Sequence, residues 1–444
     1  MSDLKKMLGG GTSNARQFGM IFTLVAIILF FQWRTDGLTL DPNNLIALVN
    51  LYSYILILAI GMVIVIIAGH IDLSVGSIAA FAGIVVAKSM ADFNVPWPLA
   101  IVLGLVIGII AGAWQGFWVA YVGVPAFIVT LAGMLLFRGL NQFIGNADTV
   151  PVPKEFRFIG AGYLWEVGPD TGRNNLTLVL GLIVCLVVIW REIRTRRTQA
   201  ALGSAMAPAW VSVTKVAILV AVIAYAALLF AGGRVGTSFP VSGIILAVLV
   251  VIYSFITNST IFGRHVYAVG GNALAARLSG VKSKRVNFMV MMNMAILASL
   301  AGMIFVARSA ASGPQDGIGW ELDAIAAVFI GGAAVSGGVG TVIGSMVGGL
   351  VMAVLNNGMQ LLGVGSDRVQ IIKGLVLLLA VAVDVYNKSQ GRPSIIGFLT
   401  RGFNRPEPAQ ATAGAAVGET AVPAGVASTL ESTDTSRPGA VTPN

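Results

Sequence analysis

Long apolar runs alternate with short polar loops along most of the chain. The first run, from Phe18 to Trp33, lacks a small-x-small cleavage site and is interpreted as an uncleaved first span. The later runs approach the roughly 20 residues that a membrane-crossing helix needs. They lie at about 42–68, 73–90, 97–120, 126–143, 176–190, 213–231, 241–256, 288–307, 342–362 and 369–385. The pattern predicts an all-α, polytopic bundle of transmembrane helices.

One apolar run is too short to cross a bilayer. It covers about a dozen residues, 324–335, and ends in the glycine-rich sequence Ser336 to Gly340. Non-helical backbone at membrane depth is tolerated only where protein surrounds it. We therefore expect a broken or re-entrant element here, and about twelve membrane segments in all.

The charged residues indicate the topology. Lys5 and Lys6 precede the first run, four arginines lie in the sequence REIRTRRTQ after position 190, and a loop at about 258–287 carries five basic and no acidic residues. Short loops rich in Lys and Arg stay in the cytoplasm. Both termini are therefore predicted to be cytoplasmic, with a segment at 1–16, a transmembrane domain at 17–390 and a disordered tail at 404–444. The polar loop at 144–175, with mixed charges, is predicted to be external.

Composition excludes several classes of protein. The chain is 56% hydrophobic and 11% charged, whereas about a quarter of the residues of a soluble protein are charged. The net charge of +9 follows from the cytoplasmic loops, so nucleic acid is not expected as a partner. The single cysteine, the two distant histidines and the missing phosphate-loop motif predict no metal, no cofactor and no ATPase activity in this chain.

Glycines recur at helical spacing in two predicted spans. Gly104, Gly108, Gly112 and Gly116 follow one another every four residues, and so do Gly340, Gly344 and Gly348. Residues four apart share a helix face, and small residues let the backbones of neighbouring helices approach closely. Both stripes are predicted to be helix-packing surfaces.

Few polar side chains are available to contact a solute inside the bundle. The candidates for a translocation path are Ser74, Thr130, Asn356, Asn357 and Gln360. Hydrogen bonding between helices is the alternative for each of them. Asp72, Lys373 and Asp384 lie near the predicted segment ends, where capping or snorkelling accounts for a charge. Such a sparse path suits a channel that is loaded by a separate receptor.

The loop at about 258–287, called the basic loop from here on, has its own helix signals. Asn272 is a good N-cap after the flexible pair Gly270 and Gly271, the run ALAARLS follows, and Gly280 is placed as a stop. A helix this short is not stable alone in water. We expect it to be stabilised by contact with a partner.

Five sequence runs in this order resemble one family. They are GHIDLSVGS (69–77), PAFIVTLAGMLLFRGL (125–140), GRHVYAVGGNALAARLSGV (263–281), WELDAIAAVFIGGAAVSGGVG (320–340) and LNNGMQLLGV (355–364). The chain resembles the membrane subunits of bacterial monosaccharide ABC importers over about residues 43–384. Its length, and an apparent insertion of two spans at about 176–232, are most similar to the D-xylose or multiple-sugar permeases.

The resemblance implies a function and a set of partners. The chain would be the permease subunit of an ATP-driven importer in the bacterial inner membrane, moving xylose or a related pentose or hexose. A binding protein would deliver the sugar outside, a separate ABC subunit would hydrolyse ATP, and the permease would act as a homodimer or beside a sister chain. The basic loop would couple it to the ATPase through Gly263, Arg264, Gly270, Gly271, Asn272, Ala275, Arg277 and Gly280.

There are three alternatives. A permease of the same superfamily could carry another small solute, such as a nucleoside. An ion-coupled secondary transporter would need ionisable groups inside the membrane, and a membrane-embedded enzyme would need clustered acids or histidines at one face. The sequence contains neither of these two sets of residues.

Overall fold

The computed structural model describes residues 12–203 and 208–389, so the predicted tail at 404–444 and the first part of the segment at 1–16 lie outside the described residues. Helices dominate. The first eight are α1 (Thr12–Arg34), α2 (Pro42–Ile67), α3 (Val75–Phe93), α4 (Trp97–Phe117), α5 (Ala126–Gly145), α6 (Lys154–Ala161), α7 (Asn175–Ala201) and α8 (Ala209–Ala231). The other seven are α9 (Val241–Ser259), α10 (Ile261–Gly271), α11 (Ala273–Leu278), α12 (Ser283–Ser309), α13 (Trp320–Ile330), α14 (Val342–Leu361) and α15 (Ser366–Ser389).

Nine helices in the described ranges are long and apolar enough to cross a membrane. They are α2, α3, α4 with the π turn Trp118–Val122 that extends it, α5, α7, α8, α9, α12 and α14. The mainly helical membrane fold is therefore confirmed. The predicted total of about twelve also counts α13, α15 and the apolar stretch Gly19–Arg34 of α1, and that total stays a prediction.

Helix α2 forms the centre of the bundle. Its start is fixed by Asp41, whose carboxylate accepts a 2.9 Å hydrogen bond from the Asn43 N–H, and by Pro42 at the first helical position. From Ile55 onward every residue is buried. A helix that is apolar on all sides belongs in an interior. Helices α9, α12, α13 and α14 pack against it.

Two parts of the chain follow the same plan in opposite directions. Helix α2 ends at Ile67, a non-helical segment follows, and the shorter helix α3 begins at Val75. Helix α12 likewise ends at Ser309, and the shorter helix α13 begins at Trp320 after a non-helical segment. The starts of the two shorter helices meet in the interior, where Gly76 lies against the Gly317 backbone and the Glu321 side chain. The arrangement resembles the inverted repeats of transporters built on broken helices.

The two ends of the molecule differ in charge. The end that carries α10, α11 and the start of α12 is called the basic end, because it holds the basic loop. At the opposite end the start of α2 contacts the α8–α9 loop through a 2.8 Å bond from Arg234 N–H to Asn43 Oδ1. A two-residue strand, Val150–Pro151, also pairs there with Ala311–Ser312. That strand and helix α6 lie within the polar loop at 144–175, where the sequence predicted no secondary structure.

Helices α7 and α8 stand at the edge of the bundle. They pack against each other. Of the two, α8 is the helix that also packs against α2. None of the most apolar part of α8 is buried. This position fits two spans added to a complete bundle, as predicted for about 176–232. The basic sequence REIRTRRTQ, expected as a loop, continues α7 to Ala201 as helix.

The structure places both glycine stripes at helix contacts. Along α4, Gly104 faces Met303, Gly108 faces Ser299 and Ala295, Gly112 faces Met292, and Gly116 faces Phe288, all on α12. On α14, Gly344 lies against the Gly331 carbonyl and Gly348 against the Ala327 carbonyl. Gly340 contacts Ile67 and Ala333. These glycines let α4 pack on α12 and α14 pack on the short helix α13.

Replacing Gly112 by Leu tests the α4–α12 contact. A Cβ at Gly112 would lie 2.6 Å from the Met292 Cα, so the backbones would have to separate. Overpacking of this kind costs about 1–3 kcal/mol. We expect the purified Gly112→Leu variant to melt at a lower temperature than the parent, measured by size-exclusion fluorescence after heating. The matched control is Gly139→Leu on α5, where no heavy atom lies within 4 Å of the added Cβ. Equal melting of both variants would contradict the packing role.

Candidate functional site

The basic loop folds into two short helices with defined ends. The Thr260 hydroxyl accepts a 3.2 Å hydrogen bond from Gly263 N–H at the start of α10, and Asn272 Oδ1 accepts a 2.9 Å bond from Ala275 N–H at the start of α11. Gly280 ends the second helix with φ +86°, a conformation that favours glycine. The structure thus shows Asn272 as the N-cap and Gly280 as the stop.

Glycine also permits the sharp bend between α9 and α10. A Cβ at Gly263 would overlap the carbonyl oxygens of Ile256 and Thr257. The sequence treated Gly270 and Gly271 as a flexible pair before a single helix, and this interpretation is wrong. They are the last two residues of α10, and Asn272 separates α10 from α11. The reason is a tertiary contact at Gly270.

Gly270 joins three parts of the chain at the basic end. The site of its missing Cβ is filled by the Ile67 carbonyl at the end of α2. The same carbonyl accepts a 2.8 Å hydrogen bond from Gly338 N–H, in the turn after α13. Gly271 lies exposed beside Gly338. We call this contact of Ile67, Gly270 and Gly338 the glycine junction; any side chain at Gly270 would force the three backbones apart.

Tyr267 strengthens the glycine junction. Its hydroxyl donates a 2.7 Å hydrogen bond to the carbonyl of Gly340, which lies two residues after Gly338. Burial raises the pKa of this hydroxyl, so it keeps its proton and remains a donor at neutral pH. The basic loop is therefore bonded to the turn after α13 by a side chain as well as packed against it by backbone.

The outward side of α11 is both apolar and basic. Leu274 is 68% exposed and Leu278 is 81% exposed, whereas Ala276 between them is buried against the core. Arg264, Arg277, Lys282, Lys284 and Arg285 are all exposed. Within the described part of the chain, none of these five side chains pairs with a carboxylate. Large exposed leucines flanked by unpaired positive charges are typical of a surface that meets another protein.

The residues predicted for a translocation path lie in several places. Ser74 is fully buried; its hydroxyl donates to Asp72 and accepts from Gln115, and Asp72 also accepts a 2.8 Å bond from Ser74 N–H. Asp72 thus holds Ser74, the residue immediately before α3, through both its N–H and its hydroxyl. Thr130 is buried beside the carbonyls of Ile71 and Phe127.

The remaining path candidates are on α14. Asn357 exchanges two 2.9 Å hydrogen bonds with Asn44, which ties α14 to α2. Asn356 is buried, and Gln360 is exposed near the Tyr52 hydroxyl. The structure therefore does not bring the five candidates together around one cavity. Their role in a path stays a prediction.

One charge was misread from the sequence. Snorkelling was expected to account for Lys373, but its amine lies 2.7 Å and 2.8 Å from the two carboxylate oxygens of Asp323. The pair links α15 to the short helix α13. Fifty residues separate the partners, so no local pattern could have revealed it.

Replacing Gly270 by Ala tests the glycine junction. The added methyl group would overlap the Ile67 carbonyl, so we expect an overpacking cost of about 1–3 kcal/mol and a lower melting temperature. Gly271→Ala is the matched control, because no heavy atom lies within 4 Å of its added Cβ. Melting of the two purified variants checks this. A Gly270→Ala protein as stable as the control would show that the three backbones are not in tight contact.

Comparison with known proteins identifies the family of this chain. The profile of the family described as branched-chain amino acid transport system, permease component, matches residues 44–381. The xylose transport system permease protein XylH of Haemophilus influenzae is 40% identical over 378 residues, 85% of this chain and 98% of the relative. Its Escherichia coli K12 counterpart is 40% identical over 376 residues, 84% of this chain and 93% of the relative.

A second group of relatives is more distant. The ribose import permease protein RbsC of Escherichia coli K12 is 33% identical over 375 residues, 84% of this chain and 94% of the relative. No solved structure matches this chain. The matches cover the basic loop, the broken helices and the spans on both sides of them. This chain therefore belongs to the family of permease components of branched-chain amino acid transport systems.

Proposed function

We propose that this chain is the membrane-spanning permease subunit of an ATP-driven importer that moves a monosaccharide, xylose or a related pentose or hexose, across the bacterial cytoplasmic membrane. The observation that carries the proposal is the 40% identity to the xylose permease of Haemophilus influenzae over 98% of that protein. The exposed basic loop supports it, because a permease without its own ATPase needs a surface through which ATP hydrolysis acts on it.

The positive charges support a cytoplasmic position for the basic end. Basic residues are retained on the cytoplasmic side during insertion. Lys282, Lys284 and Arg285 precede or begin α12, and Arg264 and Arg277 lie on α10 and α11. With this loop inside, the α8–α9 loop and the paired strands lie outside. The N- and C-termini are then cytoplasmic.

ATP hydrolysis would act on the permease through α11. An ABC subunit that holds Leu274, Leu278 and Arg277 in a cleft can push or release this helix when it closes on ATP. The glycine junction passes the displacement to the end of α2 and to the turn after α13, because the backbones touch with no side chain between them. A packed interface of this kind shifts between discrete arrangements rather than deforming gradually.

The assembly follows from the same arrangement. An extracytoplasmic sugar-binding protein would load the end opposite the basic loop. The working unit would be a homodimer of this chain, or a pair with a sister permease, above two ABC subunits. The nearest alternative is a permease of the same superfamily for another small solute, such as a nucleoside.

Charge reversal at Arg277 tests the docking surface. Arg277→Glu places a negative charge where exposed positive charges surround α11, so we expect weaker co-purification with the ABC subunit and slower uptake of labelled D-xylose by the reconstituted transporter. Arg234→Glu is the matched control: the same change, on an exposed residue at the opposite end of α9. Its co-purification with the ABC subunit should equal that of the parent.

Two results would contradict parts of the proposal. Unchanged co-purification and unchanged uptake in Arg277→Glu would remove the coupling role of α11. Uptake of a nucleoside but of no pentose or hexose, by the unmutated transporter with its binding protein, would favour the alternative solute.

A further inference from the structure

Three aromatic rings meet in the half of the bundle away from the basic end. Tyr54 of α2 lies 4.5 Å from Trp320 and 5.0 Å from Phe305 between ring centroids, and Phe305 lies 4.5 Å from Trp320. Trp320 is the first residue of the short helix α13, and Phe305 is in the last two turns of α12. The rings therefore mark the point where the broken helix α13 begins.

Charged groups adjoin these rings. The Arg308 guanidinium lies 5.4 Å from the Phe305 ring centroid, and the Lys373–Asp323 ion pair lies on the next turn of α13 beyond Trp320. Arg308 and Asp323 are close enough to Tyr52 and Tyr54 for their charges to act on both phenols. We call the set Tyr54, Phe305, Trp320, Arg308, Asp323 and Lys373 the aromatic–ionic cluster.

The depth of this cluster in the bundle makes its charges unusual. Tyr52 and Tyr54 are ten and twelve residues from the start of α2 at Pro42, which places them about 15–18 Å along that helix. Ionisable groups at such a depth are costly unless they face the interior of a bundle or a water-filled route, and there they usually mark a substrate pathway. The Lys373–Asp323 ion pair and Arg308, next to these tyrosines, are therefore candidates for a role in transport.

Lys373 and Asp323 pair with each other, but not every polar group of the cluster has a partner. Arg308 Nε is buried and has no hydrogen-bond partner. Tyr54, Arg308, Asp323 and Lys373 are each partly exposed, and Gln360, beside Tyr52, is exposed. Donors and acceptors therefore remain available next to a flat aromatic surface. Of the predicted path residues, Gln360 alone lies at this place.

This combination matches the chemistry of a sugar ring. A pyranose has an apolar face of C–H groups, which fits an aromatic ring, and a rim of hydroxyls, each of which donates and accepts hydrogen bonds. Charged partners give stronger hydrogen bonds than neutral ones. A buried donor without a partner, such as Arg308 Nε, gains a bond when a hydroxyl reaches it.

We infer that the aromatic–ionic cluster is a subsite that a monosaccharide contacts on its way through the permease. This inference rests on the proposed function and names a position in the permease where the sugar binds. The sugar lies against the partly exposed rings of Tyr54 and Phe305, which pack on the buried Trp320, while its hydroxyls meet Arg308 and Asp323. Binding here is weak, because a site that only passes the sugar on must release it. Since Trp320 and Asp323 lie on α13, movement of α13 at the glycine junction changes the same subsite.

Cysteine protection tests the inference. The chain has one cysteine, so Cys185→Ser gives a cysteine-free protein, to which Gln360→Cys is added. Right-side-out vesicles that contain the whole transporter are treated with a charged, impermeant thiol reagent, with and without saturating D-xylose; mannitol serves as the osmotic control. We expect D-xylose to slow the labelling of Gln360→Cys severalfold. Leu38→Cys, an exposed position before α2, should be labelled equally fast with and without the sugar.

Further variants separate contact with the sugar from folding and from coupling. Arg308→Gln and Tyr54→Leu, each in the Gln360→Cys background, should lose the protection, and Arg308→Lys should keep part of it. Arg277→Glu, at the basic end, should slow uptake and retain full protection.

The outcomes distinguish this inference from the proposed function. Normal D-xylose uptake without protection of Gln360→Cys would overturn the subsite and leave the proposed function standing. No labelling of Gln360→Cys at all, by a reagent of about the size of the sugar, would also overturn it, because the sugar could not then reach this position from outside. Failure of the unmutated transporter to take up any pentose or hexose would instead refute the proposed function.

Discussion

One carbonyl oxygen, that of Ile67, joins three parts of this permease at its basic end. It accepts a hydrogen bond from Gly338 and lies against the Cα of Gly270, so the end of the central helix, the turn after the broken helix α13 and the basic loop share one contact. Backbone packed on backbone has no rotamers to change. In the proposed mechanism, a displacement of the basic loop would therefore be transmitted to α2 and to the turn after α13 instead of being absorbed by flexible side chains.

The rest of the bundle is suited to that transmission. Helix α2 is buried along most of its 26 residues, a length of about 39 Å, and glycines bring α4 against α12 and α14 against α13. Helices α3 and α13 begin inside the bundle. At the start of α3, Asp72 accepts a hydrogen bond from the Ser74 N–H, and Gln115 donates to the Ser74 hydroxyl. Part of the aromatic–ionic cluster lies on helix α13, and the turn that follows α13 contacts the basic loop. One segment thus connects the surface proposed for the ATPase with the place proposed for the sugar.

Sequence reasoning succeeded where the signal is local. Apolar runs of span length, the four-residue glycine period of α4, the Asn272 cap and the Gly280 stop are all properties of neighbouring residues. It failed where a distant partner decides the conformation. Gly270 ends a helix because Ile67, two hundred residues earlier, occupies the space beside it, and Lys373 pairs with Asp323 across 50 residues. The strand in the polar loop likewise exists only because residues 311–312 lie beside it.

The orientation of the basic loop is the most direct test of this account, because an ATPase can act on it only from the cytoplasm. In the Cys185→Ser protein, cysteines placed singly at Arg277 and at Lys284 are exposed to an impermeant thiol reagent in right-side-out and in inside-out membrane vesicles. The account predicts labelling of both positions in inside-out vesicles and none from the exterior. Labelling of either position in intact right-side-out vesicles would contradict it.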